Sequence, residues 1–92
     1  MYQLELKGTA HKQLKALALV SQRLHRDASA IILDLREDPR PSDALAMVDE
    51  YDGFYRIRFN NHRIIYAVDD ETETVTIWAV KARDRKTYNS IS

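Results

Sequence analysis

Four arginines in the C-terminal half of the chain are spaced so that their side chains can converge on one anion. Arg56 and Arg58 are two residues apart in an alternating segment. On a strand they therefore leave the same face, about 6.5–7 Å apart. Arg63 follows across a short turn, and Arg83 comes after the next apolar run. Guanidinium offers planar paired donors that match a phosphate, so the spacing predicts a phosphate-binding cluster. The alternative is a solvated strand face with salt bridges to acidic helices.

The charge distribution is compatible with such a cluster. The 14 basic residues balance 14 acidic ones over the whole chain. Residues 55–92 nevertheless hold seven basic residues against five acidic ones, and four of those acids lie between Asp69 and Glu73. Because the distribution of charge matters more than its sum, a basic face can exist on a neutral protein.

Three short strands are predicted in the second half of the chain, where β-branched and aromatic residues alternate with polar ones. They cover residues 54–59, 62–68 and 74–80. Asn60-Asn61 separates the first two, and asparagine tolerates the positive φ of a tight hairpin turn. Tight turns between consecutive strands indicate antiparallel pairing.

The first half of the chain predicts a strand followed by a helical hairpin. Residues 2–6 alternate, and apolar residues then recur at helical spacing, with a break near residues 25–27. Asp27 is the candidate N-cap of the second helix. The second helix is predicted to end at Asp38-Pro39, because the residue before proline avoids the helical region. Residues 44–51 could form a short strand or an irregular crossing. The sequence thus predicts one α+β domain over residues 1–92, with the N-terminal strand and helical hairpin packed on a small antiparallel sheet.

Composition excludes several kinds of site. The chain has no cysteine, so disulfides and cysteine-based metal or nucleophile sites are excluded. His11, His25 and His62 show no metal-ligand spacing, and we predict neither a metal nor a cofactor. No apolar run approaches the roughly 20 residues of a membrane span, and the N-terminus lacks a basic leader region. We therefore expect a soluble, cytoplasmic protein with no membrane partner.

The order of these segments resembles the RelE/ParE superfamily of type II toxins. The resemblance rests on the opening strand and helical hairpin, on residues 53–59, 62–66 and 75–85, and on Tyr88. It implies a RelE-like fold and a ribosome-dependent endoribonuclease that cuts messenger RNA and inhibits translation. It also implies that a cognate antitoxin holds the toxin inactive.

The resemblance implies roles for individual residues of the cluster and for Tyr88. Arg63 would steady the scissile phosphate, Arg83 would aid the leaving group, and Tyr88 would stack on or orient a base. These three are the catalytic candidates. The RNA-binding candidates are Arg56, Arg58, Lys81 and Arg85.

The sequence departs from the family pattern where that pattern has lysines at positions 56 and 58. Arginine essentially cannot lose its proton, so Arg56 and Arg58 are expected to bind charge and not to act as a base. The base could be His62, whose reference pKa is about 6.5, or Tyr88, or a group of the RNA or ribosome. Alternation places His62 and Arg63 on opposite faces. Trp78 is expected to pack in the core or against the helices and not to stack on a base.

The resemblance leaves two other functions open. A ParE-type toxin would bind and inhibit DNA gyrase without cutting RNA, which the neutral charge and the missing lysines favour. An inert member of the family would bind its antitoxin only.

Overall fold

A computed structural model describes residues 1–82 of the chain. The fold is α+β, with two helices and a five-stranded sheet. The predicted site residues Arg83, Arg85 and Tyr88 lie outside the described residues. The elements in chain order are β1 (Gln3–Leu6), α1 (Gly8–Val20), α2 (Gln22–Asp34), β2 (Leu45–Ala46), a 3-10 turn (Asp49–Tyr51), β3 (Phe54–Phe59), β4 (His62–Asp69) and β5 (Thr74–Ala82).

The sheet has the strand order β1-β5-β4-β3-β2. Strands β3, β4 and β5 form the predicted antiparallel meander, and Asn60 in the first turn adopts a positive φ of 52°. β1 pairs with β5 in parallel, from Gln3 opposite Thr74 to Leu6 opposite Ile77. The sheet is therefore mixed and not wholly antiparallel. The reason is that β1 pairs with the outer edge of β5 and runs in the same direction as β5. Neither helix in the described part of the chain is long and apolar enough to cross a membrane.

The helical hairpin turns at Ser21, earlier than the sequence predicts. Ser21 has extended backbone, and its Oγ accepts a hydrogen bond from the Leu24 amide at 3.2 Å. This side-chain cap satisfies one free amide at the start of α2, where the sequence pattern had suggested Asp27 for that role. Asp27 instead lies inside α2, which ends at Asp34, four residues before Asp38.

The core lies between the hairpin and one face of the sheet. Its most deeply buried large side chains are Leu35, Ile57, Ile64, Tyr66, Val75 and Ile77. They come from the end of α2 and the three meander strands, so burial of each, at about 1.5–3 kcal/mol, ties the hairpin to the sheet. The opposite face of the sheet carries the other half of each alternating strand, and Arg56, Arg58 and Arg63 are among its residues.

A β-bulge changes the alternation of β5. Ile77 lies opposite Tyr66 and Ala79 lies opposite Ile65, so Trp78 has no partner on β4. Beyond the bulge Val80 is buried on the helix side, at 4% exposure, and Lys81 faces the opposite way. Strict alternation from Ile77 would have exchanged the faces of these two residues.

Candidate nucleic-acid interface

Three cations lie side by side across the meander. Arg58 on β3 is directly opposite Arg63 on β4, and Arg63 is directly opposite Lys81 on β5. Neighbouring strands are about 4.8 Å apart, and directly opposed residues share a face of the sheet. Like charges in this arrangement repel each other and destabilise the sheet. A ligand that carries several negative charges would relieve that repulsion.

Arg56 extends the row along β3. It lies two residues from Arg58 on the same face and opposite Ile65 of β4. Together Arg56, Arg58, Arg63 and Lys81 define what we call the cationic face. The Nε atoms of Arg56 and Arg63 are buried and have no hydrogen-bond partner among the described residues. An unsatisfied buried donor costs about 1–3 kcal/mol. No hydrogen bond from Nε to the other described residues holds these two guanidinium groups in place.

Ion pairing does not neutralise the cationic face within residues 1–82. None of its four cations lies within 4.0 Å of a described carboxylate. The ion pairs that the described residues do form are Lys7 with Glu5, at 3.6 Å, and Arg40 with Asp70, at 2.9 Å. The structure therefore disfavours the alternative in which these arginines serve the helices as surface salt-bridge partners.

Arg40 is the contrasting arginine, because its guanidinium makes three hydrogen bonds to other side chains. Its guanidinium donates to both carboxylate oxygens of Asp70, at 3.1 and 2.9 Å, and to the Tyr55 hydroxyl at 2.8 Å. The Tyr2 hydroxyl donates to the same carboxylate at 2.6 Å. We call these four residues the Arg40 cluster. The hydrogen bonds from Arg40 and then from Tyr2 lower the pKa of Asp70, and the bond to Asp70 raises the pKa of Tyr2.

His62 lies on the other side of the sheet from Arg63, as alternation predicts. Its ring packs against the Phe59 ring at 5.5 Å between centroids. It borders a cavity of about 320 Å³ that Leu17 and Val20 also line, between the hairpin and the end of β5. The ring of His62 therefore lies on the hairpin side of the sheet, although the residue also borders a small pocket at the turn between β3 and β4 together with Arg58 and Arg63.

Trp78 is the residue that sequence reasoning assigned to the wrong environment. Its side chain is 42% exposed and lies on the cationic face of the sheet, not in the core or against the helices. It contacts Phe54 edge-to-face, with ring centroids 5.6 Å apart, and the Lys7 Nζ lies 4.9 Å from its centroid. Residues 77–80 are all apolar, and such a run carries no period-2 signal from which the bulge could be read.

Comparison with known proteins places the chain in a family. The family model described as the ParE toxin of type II toxin-antitoxin systems, parDE, matches residues 4–87. The chain belongs to this toxin family. The resemblance to the RelE/ParE superfamily is thereby confirmed. No curated protein matches the chain.

Solved structures share the toxin's fold. The RelBE2 toxin-antitoxin complex from Mycobacterium tuberculosis matches with 26% identity and a TM-score of 0.77, over 89% of this chain and 98% of that one. The isolated RelE toxin of E. coli matches with 20% identity and a TM-score of 0.77, over 99% and 95%. The YoeB/ParE toxin from Agrobacterium tumefaciens matches with 12% identity and a TM-score of 0.79, over 89% and 99%. The last two likenesses show the fold alone.

Although the toxin's net charge is zero, an acidic cluster and the cationic face lie toward opposite ends of the sheet. The acidic residues between Asp69 and Glu73 lie at the turn that joins β4 to β5. Arg63 lies near the other end of β4, six positions from Asp69, which is roughly 20 Å at about 3.4 Å per residue. The toxin can therefore present a basic surface at one end of the sheet and an acidic one at the other.

Proposed function

We propose that this toxin is an endoribonuclease that cuts messenger RNA on the ribosome, inhibits translation in the cytoplasm and is neutralised by a cognate antitoxin. The observation that carries the proposal is the cross-strand row of Arg58, Arg63 and Lys81, which has no acidic partner among the described residues. A row of fixed cations at strand spacing suits the repeated charge of a nucleic-acid backbone. The solved RelBE2 toxin-antitoxin complex supports an antitoxin as the partner.

The proposed reaction needs the ribose 2′-hydroxyl in line with the leaving 5′-oxygen. The 2′-oxygen attacks phosphorus, the bond from phosphorus to the 5′-oxygen breaks, and negative charge builds on the non-bridging oxygens. Arg63, central in the row, is proposed to hold those oxygens, with Arg56, Arg58 and Lys81 binding the flanking phosphates. Fixed donors aimed at developing charge each contribute roughly 2.7–4 kcal/mol.

The proton transfers are proposed from the family resemblance and from the positions of Arg56, Arg58 and His62. Arg56 and Arg58 keep their protons, and His62 faces the hairpin. We therefore propose that Tyr88 or a group of the RNA or ribosome removes the 2′ proton. Arg83 is proposed to stabilise the charge on the leaving 5′-oxygen, which takes its proton from water, and Arg85 is proposed to bind RNA, on the strength of the family resemblance. The charge stabilisation comes from guanidinium groups, so we propose no metal and no cofactor.

A second candidate function is inhibition of DNA gyrase without RNA cleavage. It is favoured by the matching family model, which is that of ParE toxins, and by the arginines at positions 56 and 58. In that case the cationic face would contact gyrase or its DNA.

Induction of the toxin in cells, followed by mapping of mRNA 5′ ends, tests the proposal. Wild type should create new 5′ ends inside coding sequences, and Arg63→Ala should not. Arg23→Ala is the matched control, because it removes an exposed arginine of α2 and should cut like wild type. Intact mRNA together with covalent gyrase–DNA complexes would replace the first proposal by the second. Normal growth with intact mRNA and DNA would mean that the chain is an inert member of the family.

A further inference from the structure

We propose that Trp78 is a stacking platform for one base of the bound RNA, adjacent to the row that holds the phosphates. The inference rests on the proposed RNA substrate and deepens it. The ligand it implies is a single-stranded segment, because only an unpaired base offers a free face to an aromatic ring. Neither the family resemblance nor the comparisons assign this residue a role.

The bulge in β5 is the first observation. Trp78 is the extra residue, and its ring comes out on the cationic face with 42% of the side chain exposed. β5 lies between β1 and β4, so the ring stands on an inner strand and not at an edge of the sheet. Bulges commonly re-aim a side chain next to a functional site. Here the same bulge also turns Lys81 to the cationic face, so one irregularity positions both a cation and an aromatic ring.

The spacing between Trp78 and the row is the second observation. Trp78 precedes Lys81 by three residues, which is at most about 10 Å along a strand. Lys81 lies opposite Arg63. A short single-stranded segment can therefore place a phosphate on Arg63 and a neighbouring base on Trp78. Combination of a basic groove with aromatic platforms is the general mode by which proteins bind single-stranded nucleic acid.

The surroundings of the ring are the third observation. Phe54 meets it edge-to-face, at an interplanar angle of 79°, which restricts the orientation of the indole. Lys7 lies over the ring at 4.9 Å and is partly exposed, with its ammonium 3.6 Å from Glu5. An exposed cation–π contact contributes about 0.5–1 kcal/mol, whereas stacking of a base contributes about 1–3 kcal/mol. A base can therefore displace the Lys7 ammonium, which is then free to contact a phosphate of the same RNA.

Fluorescence provides a direct test, since Trp78 is the single tryptophan of the chain. The probes are a fluorescein-labelled 2′-O-methyl RNA hexamer, which resists cleavage, and an abasic hexamer with the same number of phosphates. The base-containing hexamer should quench Trp78 emission, and the abasic hexamer should bind more weakly without quenching it. Trp78→Ala should weaken binding of the base-containing hexamer by about 5- to 150-fold, the equivalent of 1–3 kcal/mol. Its binding of the abasic hexamer should not change.

Two further variants keep the result interpretable. Trp78→Phe retains an aromatic face and should bind nearly as wild type, which covers the case in which Trp78→Ala does not fold. Tyr51→Ala removes another aromatic side chain, 52% exposed, and should leave both affinities unchanged.

The failure of this inference differs from the failure of the proposed function. If the labelled hexamer binds wild type without quenching, and Trp78→Ala binds both probes as wild type does, Trp78 is not a platform although RNA still binds. If neither probe binds wild type, or if Arg63→Ala makes no difference to binding, the RNA proposal fails and this inference fails with it.

Discussion

Arginine is used in two different ways at the two ends of the sheet. In the Arg40 cluster, one guanidinium donates to Asp70 and Tyr55, and Tyr2 donates to the same carboxylate. On the cationic face, Arg63 lies between Arg58 and Lys81 and has no carboxylate partner among the described residues. Both sites contain arginine, but only the Arg40 cluster contains a carboxylate partner for it among the described residues.

Arg40 therefore holds parts of the fold together, whereas Arg63 is available to a ligand. Arg40 connects the segment after α2 to β3 and to the turn between β4 and β5, and Tyr2 adds the start of β1 to the same cluster. Three hydrogen bonds from its guanidinium are made inside the protein. The cationic face places like charges opposite one another, at a cost to stability. Such an arrangement is useful when a polyanion completes it, so we expect substitutions at the two ends to affect different properties.

The largest effect is expected from Arg63→Ala. Loss of a donor aimed at the developing phosphate charge should lower the rate of ribosome-dependent mRNA cleavage by about 10²- to 10³-fold. Arg40→Ala should leave that rate within a few-fold of wild type, because its guanidinium is held by Asp70 and Tyr55. Cleavage of a defined mRNA on purified ribosomes measures both. Equal decreases in the cleavage rate of the two variants would mean that Arg40 and Arg63 do not differ in their roles.

The next effect is expected from the double variant Arg58→Ala/Lys81→Ala. Removal of two phosphate-binding cations should weaken binding of the 2′-O-methyl hexamer and flatten its salt dependence. The slope of log K against log salt should fall by about 0.7 for each phosphate that is no longer neutralised on a single strand. Arg23→Ala and Arg26→Ala together remove the same charge from the exposed surface of α2 and serve as the control. An unchanged slope in the first double variant would mean that the row does not touch the RNA backbone.

The stability of the same double variant is a second test of the difference between the two ends of the sheet. Relief of like-charge repulsion around Arg63 should raise the urea midpoint slightly at low salt, and the gain should shrink as salt is added. A clear decrease in stability would indicate that the row is paired within the protein and belongs with the Arg40 cluster.

The smallest effect is expected from the pH dependence of the Arg40 cluster. Arg40 first, and then Tyr2, holds the pKa of Asp70 below its usual range. The unfolded chain therefore binds this proton more readily in acid, and the stabilisation is fully present above an unfolded pKa of about 3.9. It is lost as the pH falls through the lowered pKa of the folded state. Wild type should exceed Arg40→Ala in urea midpoint at pH 6, and the two should converge near pH 2. A difference that persists at pH 2 would assign the role of Arg40 to packing on Tyr55.

Local patterns predicted much of the fold and part of the site. Alternation on β3 placed Arg56 and Arg58 on one face, and on β4 it separated Arg63 from His62, because side chains on a strand have a period of two. The asparagine turn indicated the antiparallel pairing of β3 and β4. The pairing of Arg40 with Asp70 was not predictable, since they are 30 positions apart in the chain and no short-range pattern connects them.

The amino-acid sequence was sufficient to predict the α+β fold, the toxin family and the presence of several arginines on one sheet face. Those features depend on residue order and on spacing within single elements. The parallel pairing of β1 with β5 and the bulge at Trp78 depend on tertiary pairing of strands, whereas the break of the hairpin at Ser21 comes from a local side-chain cap that the apolar pattern did not reveal. The bulge lies within an apolar run without alternation, so only the pairing of β5 with β4 determines which side chains face outward. That pairing brings Lys81 into line with Arg63 and places the single tryptophan of the chain beside them.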